Sequence, residues 1–325
     1  MKKAFNLAVL GCGGISKAHL TALAEIPEIK PFVMVDIAED RAKEAAAATG
    51  AKHALTDWRQ AVAMDEVDIV DICLPHTLHR DPAVAAARHK KHIFTEKPMA
   101  TNLADTDAMI KAADENKVTL AVGQVLRFRE STIRAREILK SGKIGEPMNH
   151  IRRRVSYSPV AQRHPWATDF SLSGGWVLYG FGAHEMDALL WIADSPVATL
   201  WAQGRKLYEA HDDVDDITIL FKFANGAMGT LMLSQNIHKG GWEQWVAGTK
   251  GSLYVTTDSV TVNTEITTGL DYTRSMYKQW REFVDALIEG REPSHSARTV
   301  RPCMAALEAA RRAIVTGQLI DVSAL

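Results

Sequence analysis

The stretch Phe5-Asn6-Leu7-Ala8-Val9-Leu10-Gly11-Cys12-Gly13-Gly14-Ile15-Ser16 decides the first half of the fold. Phe5–Leu10 is a short apolar run that reads as a strand, and the glycines end it. A helical pattern follows over Ser16–Glu25. A nucleotide pyrophosphate needs that order, because glycines let the backbone approach and a helix N-terminus offers unpaired N–H groups. Ser16 stands where the usual fingerprint has its third glycine. The second strand, Pro31–Val35, ends at Asp36, whose carboxylate is placed to accept both hydroxyls of a ribose. That carboxylate would repel a 2′-phosphate. Ile37 follows it, and the first arginine, Arg41, comes five residues after Asp36. NAD is therefore favoured over NADP, with Gly11, Gly13, Gly14, Ile15, Ser16, Asp36 and Ile37 as the candidate cofactor-binding residues.

Working outward, strands and helices alternate through residue 124. The Ala-rich helix Glu39–Thr49 stops at Gly50, Val67–Leu74 is an apolar run broken only by Asp68 and Asp71, and His92–Thr95 and Thr119–Val122 flank a helix over Leu103–Asn116. That alternation predicts an α/β Rossmann domain, a doubly wound parallel sheet. After Gly123 the texture changes. Helices are predicted over Arg134–Lys140 and Gly182–Ala193, and a long strand over Met148–Tyr157. The strands Thr199–Gln203, Asp216–Phe223, Met228–Gln235, Glu243–Gly248 and Ser252–Thr256 then follow one another without helices. Ala224-Asn225-Gly226-Ala227 is a hairpin signal. The second domain is thus α+β with a mostly antiparallel sheet, closed by helices over Tyr277–Glu289 and Cys303–Thr316. The expected division is 1–124 for dinucleotide binding and 125–325 for substrate binding and oligomerisation.

Composition narrows the function. The 325 residues carry 38 Lys plus Arg against 39 Asp plus Glu, a net charge of −1, a balance that argues against a nucleic-acid binder, which needs a basic face. With 46% hydrophobic and 24% charged residues the chain is globular. The Lys2-Lys3 start imitates a signal peptide, but its apolar run is short and lacks a small-residue cleavage site. No run reaches a membrane span. Cys12, Cys73 and Cys303 are three and far apart, which suits a reducing cytoplasm rather than disulfides.

Glu96-Lys97-Pro98 follows the fifth strand and points Lys97 into the crevice where such sheets bind ligands. Cys73, His76 and His79 are spaced like metal ligands, yet Cys73 falls in an expected buried strand, and no metal is expected. Strand alternation sends Arg152 and Arg154 to one face and Arg153 to the other. Arg163 and Trp166 lie on an expected loop of roughly 16 residues.

Taken in order, Gly11-Cys12-Gly13-Gly14-Ile15-Ser16, Leu74-Pro75-His76-Thr77-Leu78-His79, Glu96-Lys97-Pro98, Arg127-Phe128 and Gly174-Gly175…Gly182-Ala183-His184-Glu185-Met186-Asp187 resemble the glucose–fructose oxidoreductase / inositol dehydrogenase / rhizopine-catabolism (Gfo/Idh/MocA) family over the whole chain. The resemblance implies that the sheet of the second domain is open-faced. It implies NAD(P)-dependent hydride transfer at a secondary alcohol of a sugar, inositol or related cyclic polyol. It implies that Lys97 and His184 are catalytic, the lysine holding or passing the alcohol proton and the histidine relaying it. It adds Leu74, Pro75, His79, Glu96 and Lys97 to the cofactor site. Lys97, Arg127, Arg154, Tyr157, Arg163, Trp166 and His184 are then expected around the substrate, and Asp187 as a structural partner. Many relatives carry an Asp four residues before this His; Gly180 stands there, beside Tyr179. Two other readings follow from that departure. One is a dehydrogenase of an acidic cyclic diol or sugar acid, which the arginines would suit; the other is a dinucleotide-binding regulator without catalysis. The expected partners are a small-molecule substrate and further copies of the chain, as a homodimer or homotetramer, with no membrane and no nucleic acid.

Overall fold

The computed structural model describes residues 4–157 and 165–325. The chain forms two compact units, one of residues up to Gly123 with Met276–Val300, the other of Gln124–Ser275 with Arg301–Leu325.

In the first unit β1 (Phe5–Leu10), β2 (Ile29–Val35), β3 (His53–Leu55), β4 (Ile69–Ile72), β5 (His92–Thr95) and β6 (Leu120–Val122) form a sheet of order β3-β2-β1-β4-β5-β6. Every neighbouring pair is parallel. Helices α1 (Gly14–Leu23), α2 (Glu39–Thr49), α3 (Trp58–Val62), α4 (Arg80–Arg88) and α5 (Leu103–Asn116) make the crossovers. The apolar run of β4 is buried at every position, as in a sheet covered on both faces. The order reverses between β1 and β4, the switch point at which folds of this kind bind ligands.

In the second unit α6 (Glu130–Lys140) and α7 (Gly182–Ala193) accompany a nine-stranded sheet. Its strands are β7 (Pro147–Tyr157), β8 (Val197–Arg205), β9 (Asp216–Phe223), β10 (Met228–Ser234), β11 (Asn236–Gly248), β12 (Gly251–Val255), β13 (Val260–Val262), β14 (Glu265–Thr267) and β15 (Ile320–Asp321), in the order β14-β13-β12-β11-β7-β10-β9-β8-β15. The sheet is mostly antiparallel, but β10 lies parallel to β7. Consecutive hairpins alone would not produce that pair; β7 enters the sheet from a distant part of the chain and separates β10 from β11.

The border expected at 124/125 with a continuous second domain differs from the structure. The helix α8 (Ser275–Glu289) returns to the first unit, whereas α9 (Ala297–Thr316) runs from one unit into the other. The cause is apolar spacing. Trp280, Phe283 and Val284 fall on one helix face and enter the core of β1, β4 and β5, with Trp280 stacked on Phe94 at 4.0 Å between ring centres. The following segment also pairs with the sheet edge, Val122 N–H donating to the His295 carbonyl at 3.0 Å. Among the described residues no helix is long and apolar enough to cross a membrane.

Candidate functional site

At the end of β1, Gly11 has φ +95°, a left-handed conformation, and a Cβ there would overlap the Cys73 carbonyl. Beyond it, Gly13 and Gly14 have open space where a Cβ would stand, and α1 begins there without a side-chain cap. The first N–H groups of α1 are thus available to an anion. Ser16 is buried, its Oγ donating to the Gly13 carbonyl at 2.8 Å, so it braces the turn from inside while Ile15 stays exposed. The Asp36 carboxylate is held by the N–H of Cys12 at 3.0 Å and of Ala38 at 2.9 Å, with Ile37 exposed beside it. Arg41, five residues on and in the first turn of α2, lies 2.9 Å from Asp36 Oδ1. The open glycine cradle, the bare helix N-terminus and the oriented carboxylate fit a dinucleotide: pyrophosphate on Gly13–Ser16, ribose on Asp36.

The Glu96-Lys97-Pro98 turn is set by a buried network that sequence reading missed. The His19 ring on α1 has Nδ1 2.9 Å from Asp71 Oδ2 and Nε2 3.0 Å from Glu96 Oε1, all three side chains buried. With carboxylates on both nitrogens the ring is an imidazolium donating twice. Burial by itself would lower its pKa, but the charges and hydrogen bonds of Asp71 and Cys73 together hold it well above the ordinary value. Burial likewise pushes Glu96 up, and the hydrogen bond and charge of His19, with Lys97, hold it below the carboxylate range. Glu96 Oε2 in turn accepts the Lys97 N–H at 3.1 Å, and the Lys97–Pro98 peptide is cis. The Lys97 side chain is half-buried. An aspartate such as Asp71 inside an otherwise apolar buried strand was the signal, because such a group needs a partner.

His79, expected against the cofactor, is fully buried instead. Its Nδ1 lies 2.8 Å from the Pro98 carbonyl and its Nε2 2.8 Å from that of Leu74. Burial lowers its pKa despite both carbonyls, so the neutral ring donates to one of them at a time. Both its ring nitrogens are engaged by carbonyls that tie the β4 turn to the Lys97 turn, while Leu74 and Pro75 remain half-exposed. Cys73 follows β4 rather than lying within it and joins His19 and Asp71, so it does not converge with His79. Burial raises the Cys73 pKa, with Asp71 adding to the effect.

In the second unit His184 is half-buried in the first turn of α7. The stretch leading to it is unusual. Gly175 has φ +108°, and a Cβ there would strike the ion pair of Arg311 with Asp213, whose contacts are 2.5 and 2.9 Å. Residues Trp176–Phe181 form one turn and a half of π-helix. A Cβ on Gly180 would sit 3.0 Å from the Trp176 ring, so the indole packs closely over the glycine. Tyr179 is buried, its pKa raised by burial with Arg311 pulling the other way.

The arginines divide by partner. Arg127, expected around the substrate, is buried in a two-pronged pair with Asp187, Nε–Oδ2 2.7 Å and Nη2–Oδ1 2.5 Å. Burial raises the Asp187 pKa against the pull of Arg127. The pair joins the Gln124–Arg129 segment to α7 and leaves no fork for substrate; Asp187 is the structural partner expected. Arg152 and Arg154 share the covered face of β7 and both face Glu185, at 2.6 and 3.6 Å, while Arg153 points outward to Glu243. Trp166 is half-buried on a single helical turn, Pro165–Thr168, rather than on open loop, and packs edge-on to Trp176 with ring centres 5.3 Å apart. Tyr157 closes β7, exposed and stacked on His238. Arg163 lies outside the described residues. Arg129 and Trp242, neither singled out from sequence, stand beside Arg154.

Known proteins agree with this architecture. Residues 5–124 match an oxidoreductase family with an NAD-binding Rossmann fold, and residues 132–254 match the GFO/IDH/MocA C-terminal domain. The chain is 28% identical over 293 residues to a myo-inositol 2-dehydrogenase of Thermotoga maritima, covering 87% of this chain and 85% of that protein. It is 28% identical over 318 residues to a 4-carboxy-2-hydroxymuconate-6-semialdehyde dehydrogenase of Sphingobium sp., covering 92% and 95%. A solved levoglucosan dehydrogenase in complex with NADH shares the fold with TM-score 0.92 at 20% identity, over 98% of this chain and 99% of that one. With both halves of the fold matched and the cradle suited to a dinucleotide, the chain belongs to the GFO/IDH/MocA family of NAD-dependent oxidoreductases.

Proposed function

We propose that the protein is an NAD-dependent dehydrogenase of a secondary alcohol on a sugar, inositol or related cyclic polyol. The observation that carries this reading is the cradle of Gly13 and Gly14 at the bare start of α1 beside the oriented Asp36. The inositol and levoglucosan dehydrogenases among its relatives support the substrate class. The Gly13–Gly14 cradle and Asp36 would hold NAD, which when bound would supply the hydride acceptor. Lys97 holds the alcohol proton, on a turn fixed by Glu96 and His19. His184 relays that proton, since an imidazole titrates near neutrality. Leu74 and Pro75 line the cofactor, and His79 keeps their turn in place from behind.

The assay is formation of reduced nicotinamide over a panel of sugars, inositols and cyclic diols. Lys97→Ala is expected to abolish turnover while NAD affinity stays within a few-fold. His184→Ala is expected to lower turnover by roughly 100-fold to 10,000-fold. NAD binding without turnover on any alcohol would instead favour a regulator. The three cysteines are buried free thiols, which supports a reducing, cytoplasmic location. The uncovered face of the nine-stranded sheet supports assembly as a homodimer or homotetramer.

A further inference from the structure

The covered face of β7 holds more cationic groups than the protein neutralises. Arg152 is saturated: its Nε and Nη2 lie 2.7 and 2.6 Å from Glu185 Oε2, and its Nη1 donates to Gln244 Oε1 at 2.9 Å. Arg154 is not. Its nearest carboxylate atom, Glu185 Oε1, is 3.6 Å from Nη1, beyond hydrogen-bond length, and its Nε is shielded from water with no acceptor. Its guanidinium carbon lies over two aromatic rings, 3.8 Å from the centre of Phe181 and 4.7 Å from that of Trp242. Arg129, at the start of α6, reaches the same Trp242 at 5.4 Å, and among the described residues its guanidinium has no acceptor.

Three guanidinium groups thus share one carboxylate, Glu185, since Asp187 is already taken by Arg127. Burial lowers the pKa of both Arg129 and Arg154; Glu185 opposes this, and the neighbouring arginines reinforce it. Unpaired, partly desolvated donors are costly, and such a cluster is retained where a ligand supplies the missing acceptors. A guanidinium bonds through N–H groups in its own plane, a fork that matches the two oxygens of a carboxylate. Glu185 Oε1 is near enough that a dianion would be repelled more strongly than a carboxylate. Glu185 follows His184 in the first turn of α7, so the residue that faces the arginines is carried by the same helix start as the expected relay histidine.

We propose that Arg154 and Arg129 form a carboxylate subsite, and that the natural substrate is a secondary alcohol also bearing a carboxylate. This rests on the dehydrogenase reading above. From sequence the arginines suit an acidic substrate only collectively, with Arg154 a general substrate contact beside Arg127 and Arg163, and Arg129 is not singled out. The aromatic string Trp166–Trp176–Phe181 continues from Arg154 and offers apolar faces to the C–H side of a ring.

The test uses NAD-saturated protein and matched probes differing by one carboxylate: D-glucose with D-glucuronate, D-galactose with D-galacturonate, and cyclohexane-1,2-diol with 3,4-dihydroxycyclohexane carboxylate. Binding is read by calorimetry and turnover by absorbance of reduced nicotinamide. At least one acid is expected to bind about tenfold or more tightly than its neutral partner, as one charge-assisted pair would give. Arg154→Gln is expected to collapse that ratio, with Arg154→Lys restoring part of it. Arg129→Gln, at a half-exposed helix start, narrows the ratio too and serves if the Arg154 variants do not fold. The proposal is overturned if no acid binds at millimolar concentration, if acids never exceed their neutral partners, if the Arg154 and Arg129 variants weaken both members alike, or if glucose 6-phosphate outbinds every acid. Neutral polyols turned over with no acid advantage would remove the subsite and leave the dehydrogenase reading standing. Acids bound through Arg154 without turnover of any alcohol would uphold the subsite and remove that reading.

Discussion

His19 carries a charge that two buried carboxylates require, and its removal tests how the Lys97 turn is held. His19→Leu leaves Asp71 and Glu96 buried without a counter-ion, and removing one partner of such a group costs about 3–5 kcal/mol. The expected outcome is a lower denaturant midpoint and a loss of turnover out of proportion to any change in NAD affinity. The pH dependence has a definite sign. The folded pKa of His19 is raised above its ordinary 6.5, so its contribution is complete below that pH and is lost as pH rises through the folded pKa. Glu96 is depressed below its ordinary 4.5, so its contribution is present above that pH and is lost as pH falls. The stability gap between wild type and His19→Leu is therefore widest between those two values. Above them it shrinks by up to about 1.4 kcal/mol per pH unit. A gap that grows with pH would show that the ring is neutral. At Asp36 the expected outcome is NAD affinity at least about tenfold above that for NADP, by titration of both. Arg41 is near enough to meet a 2′-phosphate once the carboxylate is gone. Asp36→Ser should narrow the preference, and adding Arg41→Ala should widen it again.

At the scale of the element, the π-helical stretch Trp176–Phe181 explains what Gly180 is for. Its Cβ position is 3.0 Å from the Trp176 ring, which is itself wedged against Trp166 and Phe181. Gly180→Ala is expected to lower stability by about 1–3 kcal/mol through overpacking, read as a shift in melting temperature. Gly180→Asp, which restores the family carboxylate, has no room unless the indole moves. It should lower melting temperature and turnover together. Higher turnover on neutral polyols at unchanged melting temperature would mean that Trp176 yields freely and that the glycine tunes substrate choice.

For the whole molecule, the nine-stranded sheet leaves one face uncovered. Register puts Tyr254, Trp245, Ile151, Thr230, Leu220 and Trp201 in one row across six strands of that face. Trp245, Ile151 and Leu220 are each about half exposed. A monomer rarely leaves so long an apolar row in water. A dimer or tetramer is expected by light scattering at micromolar concentration, and Ile151→Glu in the middle of the row should shift it toward monomer. A clean wild-type monomer would end that reading.

The sequence by itself determined the dinucleotide half and the character of the second sheet, because both follow from local pattern. Glycines after a strand, a carboxylate at the end of the next, and residue alternation such as that splitting Arg153 from Arg152 and Arg154 are readable over a few residues. Only tertiary structure decided which charged groups are spent on the protein and which are left for a ligand. Arg127 and Arg154 look alike in sequence, yet one is locked by Asp187, 60 positions away, and the other lacks an acceptor. His79 and His19 were equally ambiguous, since a buried histidine takes its role from the carbonyls or carboxylates that remote segments bring to it. The same limit hid the return of α8 to the first unit. Its apolar face is legible from spacing, but which core receives that face depends on contacts of long sequence separation.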